Sequence, residues 1–233
     1  MYPSAQPRSN EFPVYDERDA KGRGNCRVMD RIDHTVTSGT FSLDDEVSDI
    51  ENNVWIVGDD SECVIIDAPH DVAEIVRLVG GRRVLAILCT HAHDDHVRVA
   101  PALAAAVGAP VLLHRDDLPL WHQIHEDPPD GELRDADQIE VADLSLEVIH
   151  TPGHTPGGLC FYAKDLATVF TGDTLVYGGP GATGRTLSDR GVLLMSITDR
   201  LLSLPRQTIV KAGHGDDTTI ADERSGVLTA MDE

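Results

Sequence analysis

Val84–His96 reads VLAILCTHAHDDH. An unbroken apolar run passes abruptly into polar residues, the pattern of a central strand buried on both faces that ends in a loop. In a tight loop leaving that strand, His91 and His93 point the same way. Asp95 and His96 then turn toward a neighbouring position.

Working outward, VWIV (54–57) and CVIID (63–67) flank GDDSE and form a hairpin of strands. DVAEIVRLVGG carries apolar residues at Val72, Ile75, Val76 and Val79, one helical face, and is stopped by Gly80 and Gly81. HVRVAPALAAAVG is Ala-rich and helical, and PVLLH (110–114) is a short strand. The second half repeats the habit with strands at 144–151, 158–163 and 168–173, a helix over Asp189–Leu204 and a last strand at 208–215. Two such halves predict an α/β fold, a sandwich of two sheets covered by helices. Residues 1–25 are polar, rich in Pro and Gly and aperiodic, and are expected to form a mobile N-terminal arm. Residues 26–233 then form the folded domain.

Three further motifs follow predicted strands in the same way. HTPGHTPGG presents His154, TGDTL presents Asp173 and AGHGD presents His214. With His91, His93, Asp95 and His96 they make five imidazoles and two carboxylates at strand ends. That donor set suits two divalent ions, Zn²⁺ first, with Fe²⁺ or Mn²⁺ as alternatives. Asp173 has two oxygens and is able to bridge both ions.

The whole chain bounds the partners. It has 233 residues with 19 Lys+Arg against 40 Asp+Glu, a formal net charge of −21. Such a surface repels phosphate backbones, so neither nucleic acid nor an anionic membrane is expected as partner. The apolar run Val99–Leu113 is broken by Pro101, Gly108 and Pro110, which excludes a bilayer span there. No apolar stretch follows the early charges, so no secretory signal is read. Cys26, Cys63, Cys89 and Cys160 are dispersed, which fits a reduced, cytoplasmic setting.

HAHDDH, TPGHTPG, TGD and GHGD in this order resemble the metallo-β-lactamase superfamily over about residues 31–220. The resemblance implies an αββα sandwich of two mixed sheets flanked by helices, with a dinuclear site along one edge. It implies His91, His93 and His154 on one metal, Asp95, His96 and His214 on the other, and Asp173 between them. Asp67, in VIIDAPH, matches the strand-end Asp that supports the metal loop without binding the metal. TGDTLVYGGPGATGR is similar to a segment of glyoxalase II (hydroxyacylglutathione hydrolase). ENNVWIVGDD and GGPGATGRTLSD are similar to glyoxalase-II-like hydrolases of actinobacteria, which use mycothiol. Only 19 residues follow His214, so the helical domain with which glyoxalase II grips glutathione is not expected.

The expected function is metal-dependent hydrolysis of a small-molecule thioester, such as an S-acyl mycothiol, by a metal-bound hydroxide that Asp95 orients. The alternatives are a mononuclear iron persulfide dioxygenase, a lactone or β-lactam hydrolase, and a non-catalytic metal-stabilised scaffold. Arg185 is expected to face an anionic group of the substrate. Tyr177 either donates to a developing oxyanion or fills a pocket wall. Gly179–Thr186 approaches the phosphate-loop pattern GxxxxGK[ST], but Arg185 replaces the Lys and Pro180 removes a backbone donor. His122 and His125 read as surface residues, His150 as structural, and Cys89 as core. Of His34, His70 and His114, His70 is the one placed to approach the cleft.

Overall fold

The computed structural model describes residues 30–43 and 46–231; the arm expected over residues 1–25 lies outside them. One mixed sheet contains, in spatial order, β1 (Arg31–Leu43), β2 (Glu46–Gly58), β3 (Glu62–Ile66), β4 (Arg83–Leu88), β5 (Val111–Leu113) and β6 (Gly131–Glu132). Its first three strands are antiparallel and its last four run parallel. The other sheet pairs β7 (Gln138–Val141), β8 (Leu144–His150), β9 (Leu159–Ala163), β10 (Thr168–Gly172), β13 (Ile209–Ala212) and β14 (Thr218–Thr219). There β10 and β13 are parallel and the rest antiparallel. A small ribbon of β11 (Leu175–Val176) and β12 (Gly179–Pro180) stands apart.

Three apolar layers hold these sheets. Alternate residues of β2, β3 and β4, among them Val57, Val64, Ile66 and Leu88, meet Leu146, Val148, Phe161 and Phe170 between the sheets. The opposite face of the first sheet, with Ile56, Ile65 and Ile87, is covered by α1 (Val72–Val79), α3 (Ala100–Val107) and α4 (Leu118–Trp121). The outer face of the second sheet, with Cys160, Val169 and Val210, is covered by α5 (Arg190–Ser196) and α6 (Ile220–Met231). Each fully buried Leu, Ile or Phe in these layers contributes about 1.5–3 kcal/mol. The result is the expected helix–sheet–sheet–helix sandwich.

Local departures have local causes. The Ala-rich helix is split into α2 (Asp94–Val97), which carries His96, and α3, because Pro101 has no N–H to bond Val97 O and sits in the first turn of α3. The Asp189–Leu204 helix starts on the Asp189 side chain, which accepts from Val192 N, and changes to a π-type turn over Ile197–Leu201. The last predicted strand stops at Ala212, and the backbone beyond it turns to present His214. Helix α6 is not evident from the sequence, since Gly226 disfavours a helix there; it nonetheless runs unbroken through that position, with Ile220, Glu223 and Val227 as its buried residues.

Candidate metal centre

The loops after β4, β8, β10 and β13 converge at one edge of the sandwich, and the seven expected ligands lie there. His91, His93 and His154 offer nitrogens within 4.8 Å of one another, and so do the ligand atoms of Asp95, His96 and His214; His91, His96 and Asp173 form a third such group. Asp173 reaches both trios. Its Oδ2 lies 3.5 Å from His154 Nε2 and 3.6 Å from His214 Nε2, and its Oδ1 lies 3.4 Å from His96 Nε2.

Two buried carboxylates shape the loops. Asp67 leaves β3 at φ +65°, a conformation that Asp tolerates better than most residues. Its side chain accepts from Thr90 N, Thr90 Oγ1 and His96 Nδ1, each at 2.8 Å. Asp117, 0% exposed, accepts from Ala92 N at 2.9 Å, Thr155 Oγ1 at 2.9 Å and Gly157 N at 2.6 Å. It thereby ties the His91–His93 loop to the His154 loop. Burial raises its pKa, against the pull of those three hydrogen bonds. Gly213 admits no side chain: a Cβ there would lie 2.5 Å from His96 Cε1 and 2.8 Å from Asp173 Oδ1.

Ring protons follow from these partners. The single Thr90 hydroxyl proton goes to Asp67, so His91 Nδ1 donates to Thr90 Oγ1, 3.0 Å away. His96 Nδ1 donates to Asp67, His154 Nδ1 to Ala182 O at 2.8 Å, and His214 Nδ1 to Glu51 O at 2.7 Å. A ring that holds only that proton turns a bare Nε2 into the centre, and His96 and His214, both raised, would give up a second proton for an ion to bind there. His96 Nε2 and His214 Nε2 face each other at 3.2 Å, and His154 Nε2 faces His93 Nδ1 at 3.0 Å. At the first pair, where both Nδ1 atoms already hold protons, the facing nitrogens call for a cation between them, a proton or a metal ion; at the second, His93 Nδ1 is able to donate to His154 Nε2. His91 Nε2, His93 Nε2, Asp95 Oδ1 and Asp173 Oδ1 are also buried without a hydrogen-bond partner. The residues therefore fit divalent ions.

Charge agrees with geometry. Burial and the surrounding rings hold His91 far below the usual imidazole range, and burial with His154 and Arg185 pushes His93 down to about 2. Burial lowers His154 as well. Burial works against ionised Asp173, yet His96, His214 and His154 hold it well below the usual carboxylate range. Burial opposes charge on His96 and His214 too. Asp173 and Asp67 outweigh it at the first ring, and Asp95 and Asp173 at the second, so both are raised. The field between the trios favours positive charge.

The remaining expectations separate. Arg185 Nη1 lies 3.6 Å from Asp95 Oδ1 and so borders the centre. Tyr177 is 66% exposed in the β11–β12 turn, so the ring fills no buried wall. His150 hydrogen-bonds Pro156 O behind the His154 loop and stacks on His114 with centroids 4.2 Å apart. With Asp116 these two make another cluster of ligating groups, but stacked rings only 19° from parallel have planes that meet far beyond the reach of a metal bond. His125 is half-buried, packs on Trp121 and pairs with Val97 O, whereas His122 is exposed. Burial pushes the Cys89 thiol far up, which suits core packing. Sequence reasoning missed Thr90, Asp117, Asn52 and Asn53. Asn53 Nδ2 holds Ala212 O and Gly215 O around His214, each at 3.0 Å. The one sequence signal was a pair of amides directly before the apolar VWIV.

The family model described as the metallo-beta-lactamase superfamily matches residues 48–214. The chain is 31% identical to the "Probable metallo-hydrolase YqgX" of Bacillus subtilis (strain 168) over 193 residues, 76% of this chain and 92% of that protein. It is 34% identical over 152 residues to a hydroxyacylglutathione hydrolase of Fuscovulum blasticum, covering 64% of this chain and 56% of that enzyme. Among solved structures, the BLEG-1 B3 metallo-beta-lactamase superposes with a TM-score of 0.70 at 30% identity, covering 82% of this chain and 97% of that one. TTHA1623 in a di-iron-bound form gives 0.69 at 33% identity, covering 81% and 96%. With the motifs, the sandwich and the ligand geometry in agreement, this chain belongs to the metallo-β-lactamase superfamily.

Proposed function

We propose that this protein is a dinuclear metallohydrolase that cleaves a thioester of a low-molecular-weight thiol, with an S-acyl mycothiol as the favoured substrate. His91, His93 and His154 would hold one ion, Asp95, His96 and His214 the second, and Asp173 would touch both. The position of Asp173 between the two trios carries this reading. Zn²⁺ is the favoured metal, with Fe²⁺ and Mn²⁺ as alternatives. The identity with a hydroxyacylglutathione hydrolase and the TGDTLVYGGPGATGR segment support a thioester.

Two bound divalent ions supply a deprotonated water at neutral pH and polarise a carbonyl oxygen. The chain supplies orientation. Asp95 is buried, and its pKa is lowered because the His214 hydrogen bond and the His96 charge outweigh burial. Its Oδ1 has no hydrogen-bond partner, which leaves this ionised carboxylate to orient the nucleophile as a hydrogen-bond acceptor. Arg185, beside that oxygen, would receive an anionic group of the substrate. A thiolate leaves without protonation, so the reaction needs no strong general acid. Cys63, Cys89 and Cys160 are free thiols, which suits a reducing, cytoplasmic compartment. No helix among the described residues is long and apolar enough to cross a membrane.

The test is metal analysis of protein purified without chelator, together with a panel of mycothiol and glutathione thioesters, lactones and β-lactams, with oxygen uptake followed. Two ions per chain with thioester turnover and no oxygen consumption is the expected result. One iron with oxygen consumption would replace it with persulfide oxygenation. Turnover confined to lactones or β-lactams would move the substrate class. No turnover with any of the three metals would leave a scaffold.

A further inference from the structure

Asn52 lies on β2, 0% exposed, against the second trio. As placed, its Nδ2 is 3.3 Å from Asp95 Oδ2, 3.4 Å from His96 Nε2 and 3.3 Å from His214 Nε2. Those three atoms are themselves 3.2, 3.3 and 3.7 Å apart. The four atoms thus mark a nearly regular tetrahedron. A point equidistant from its corners is about 2.1 Å from each, the length of a Zn–N or Zn–O bond. Three corners carry lone pairs, and the amide is the fourth.

The nitrogen and oxygen of an amide have nearly the same shape, so their assignment follows from hydrogen bonding. On its other side the Asn52 amide meets one partner, His70 Nε2, 2.9 Å from Oδ1. His70 Nδ1 is buried without a partner, so no second contact pins the tautomer of that ring. Turning the amide over puts its oxygen at the fourth corner and lets its N–H donate to His70 Nε2. A cation at the centre demands that arrangement, because N–H hydrogens aimed at it would repel.

We propose that Asn52 is a further ligand of the second ion, through its side-chain oxygen, with His70 as the positioning residue that holds the amide turned. This rests on the two-ion reading above. It also assigns a role to the hairpin: β2 delivers a ligand from a strand, whereas the other ligands come from loops or α2. A carboxamide oxygen adds a hard donor without charge, which suits Zn²⁺, Fe²⁺ or Mn²⁺ and disfavours a soft ion.

The test titrates metal-free protein with Zn²⁺ against a chromophoric chelator, which resolves the two binding steps without reference to activity. Parent protein is expected to bind two ions. In Asn52→Leu the first ion stays within about twofold of parent, and the second weakens at least about tenfold. In Asn52→Asp, which keeps an oxygen at that corner, the second ion is held at least as tightly as in parent. His70→Ala, which frees the amide, weakens the second ion several-fold, about threefold or more, and serves if Asn52→Leu does not fold by circular dichroism. A second ion bound as tightly in Asn52→Leu as in parent, or more tightly, would overturn the proposal, since an N–H donor competing with the metal gives that result. So would weaker binding in Asn52→Asp than in parent, or an unaltered second ion in His70→Ala. A parent that binds one ion defeats the two-ion reading itself, whatever the variants do.

Discussion

The two trios of the metal centre are built differently. His91, His93 and His154 are all imidazoles, and their loops are tied together by Asp117, a carboxylate that takes no place in the centre. Asp95, His96 and His214 include a carboxylate and are braced by Asp67, by the Glu51 carbonyl and by Asn53, which holds the backbone around His214. The first trio thus depends on a loop-to-loop tie and the second on β2 lying against β13 and its following loop. Damage to one should leave the other readable. Among the six side chains of the two trios, the one carboxylate lies on the second side, which is where the proposed nucleophile would be oriented.

The strongest break of this contrast is at the shared residue. Asp173→Ala is expected to lower kcat by about 10²–10⁴ and to reduce both bound ions, whereas Asp95→Asn costs a similar factor but spares the first ion. Metal stoichiometry measured beside kcat separates them, and parental values in both variants would end the dinuclear reading.

Next in size is Asp117→Ala. It strands Ala92 N, Gly157 N and the Thr155 hydroxyl in the interior, at about 1–3 kcal/mol for each group that finds no water. Urea unfolding of the metal-free protein should show about 2–4 kcal/mol lost in total, and the first ion should weaken more than the second. Equal weakening would mean that the tie serves the whole edge.

Asp67→Ala should do the reverse and weaken the second ion by about 10–100-fold, because His96 loses the acceptor that fixes its tautomer. Chelator competition reads this directly. A preferential loss of the first ion would show that Thr90 and His91 matter more to Asp67 than His96 does.

The smallest effect is expected at the rim. Arg185→Ala should raise KM about threefold to tenfold with a lesser change in kcat, the mark of a contact kept from ground state to transition state. Steady-state kinetics on an anionic thioester decide it, and an unchanged KM would make Arg185 a structural partner of Asp95.

Much of the centre was legible because its chemistry is locally encoded. A buried strand must end, its loop is the first place where polar groups meet solvent or a ligand, and His and Asp there are recognisable by type alone. The seven proposed ligands and Asp67 all follow apolar runs in that way. Asp117 and Asn52 carry no such mark. Asp117 sits in a polar stretch, RDD, between a strand and a helix, where carboxylates usually face water. Asn52 lies 43 residues from Asp95 and 162 from His214 along the chain, yet within 3.3 Å of both in space. Helix α6 was hidden for another reason: its buried side, Ile220, Glu223 and Val227, includes a charged residue. That Glu223 is spent inside, accepting from Thr218 Oγ1 at 2.6 Å and from Gly178 N at 3.2 Å.

By itself, then, the sequence determined the alternation of strand and helix, the two-sheet architecture and the donor set, since each depends on periodicity or residue type over a few positions. The tertiary structure alone decided which donors lie together, which ring nitrogen of His91, His96, His154 and His214 is turned into the centre, and which ordinary Asp and Asn become struts. Those properties are distances between strands remote in the chain. A hydrogen-bond partner 2.8 Å away, such as Asp67 beside His96, sets a tautomer that no local pattern encodes.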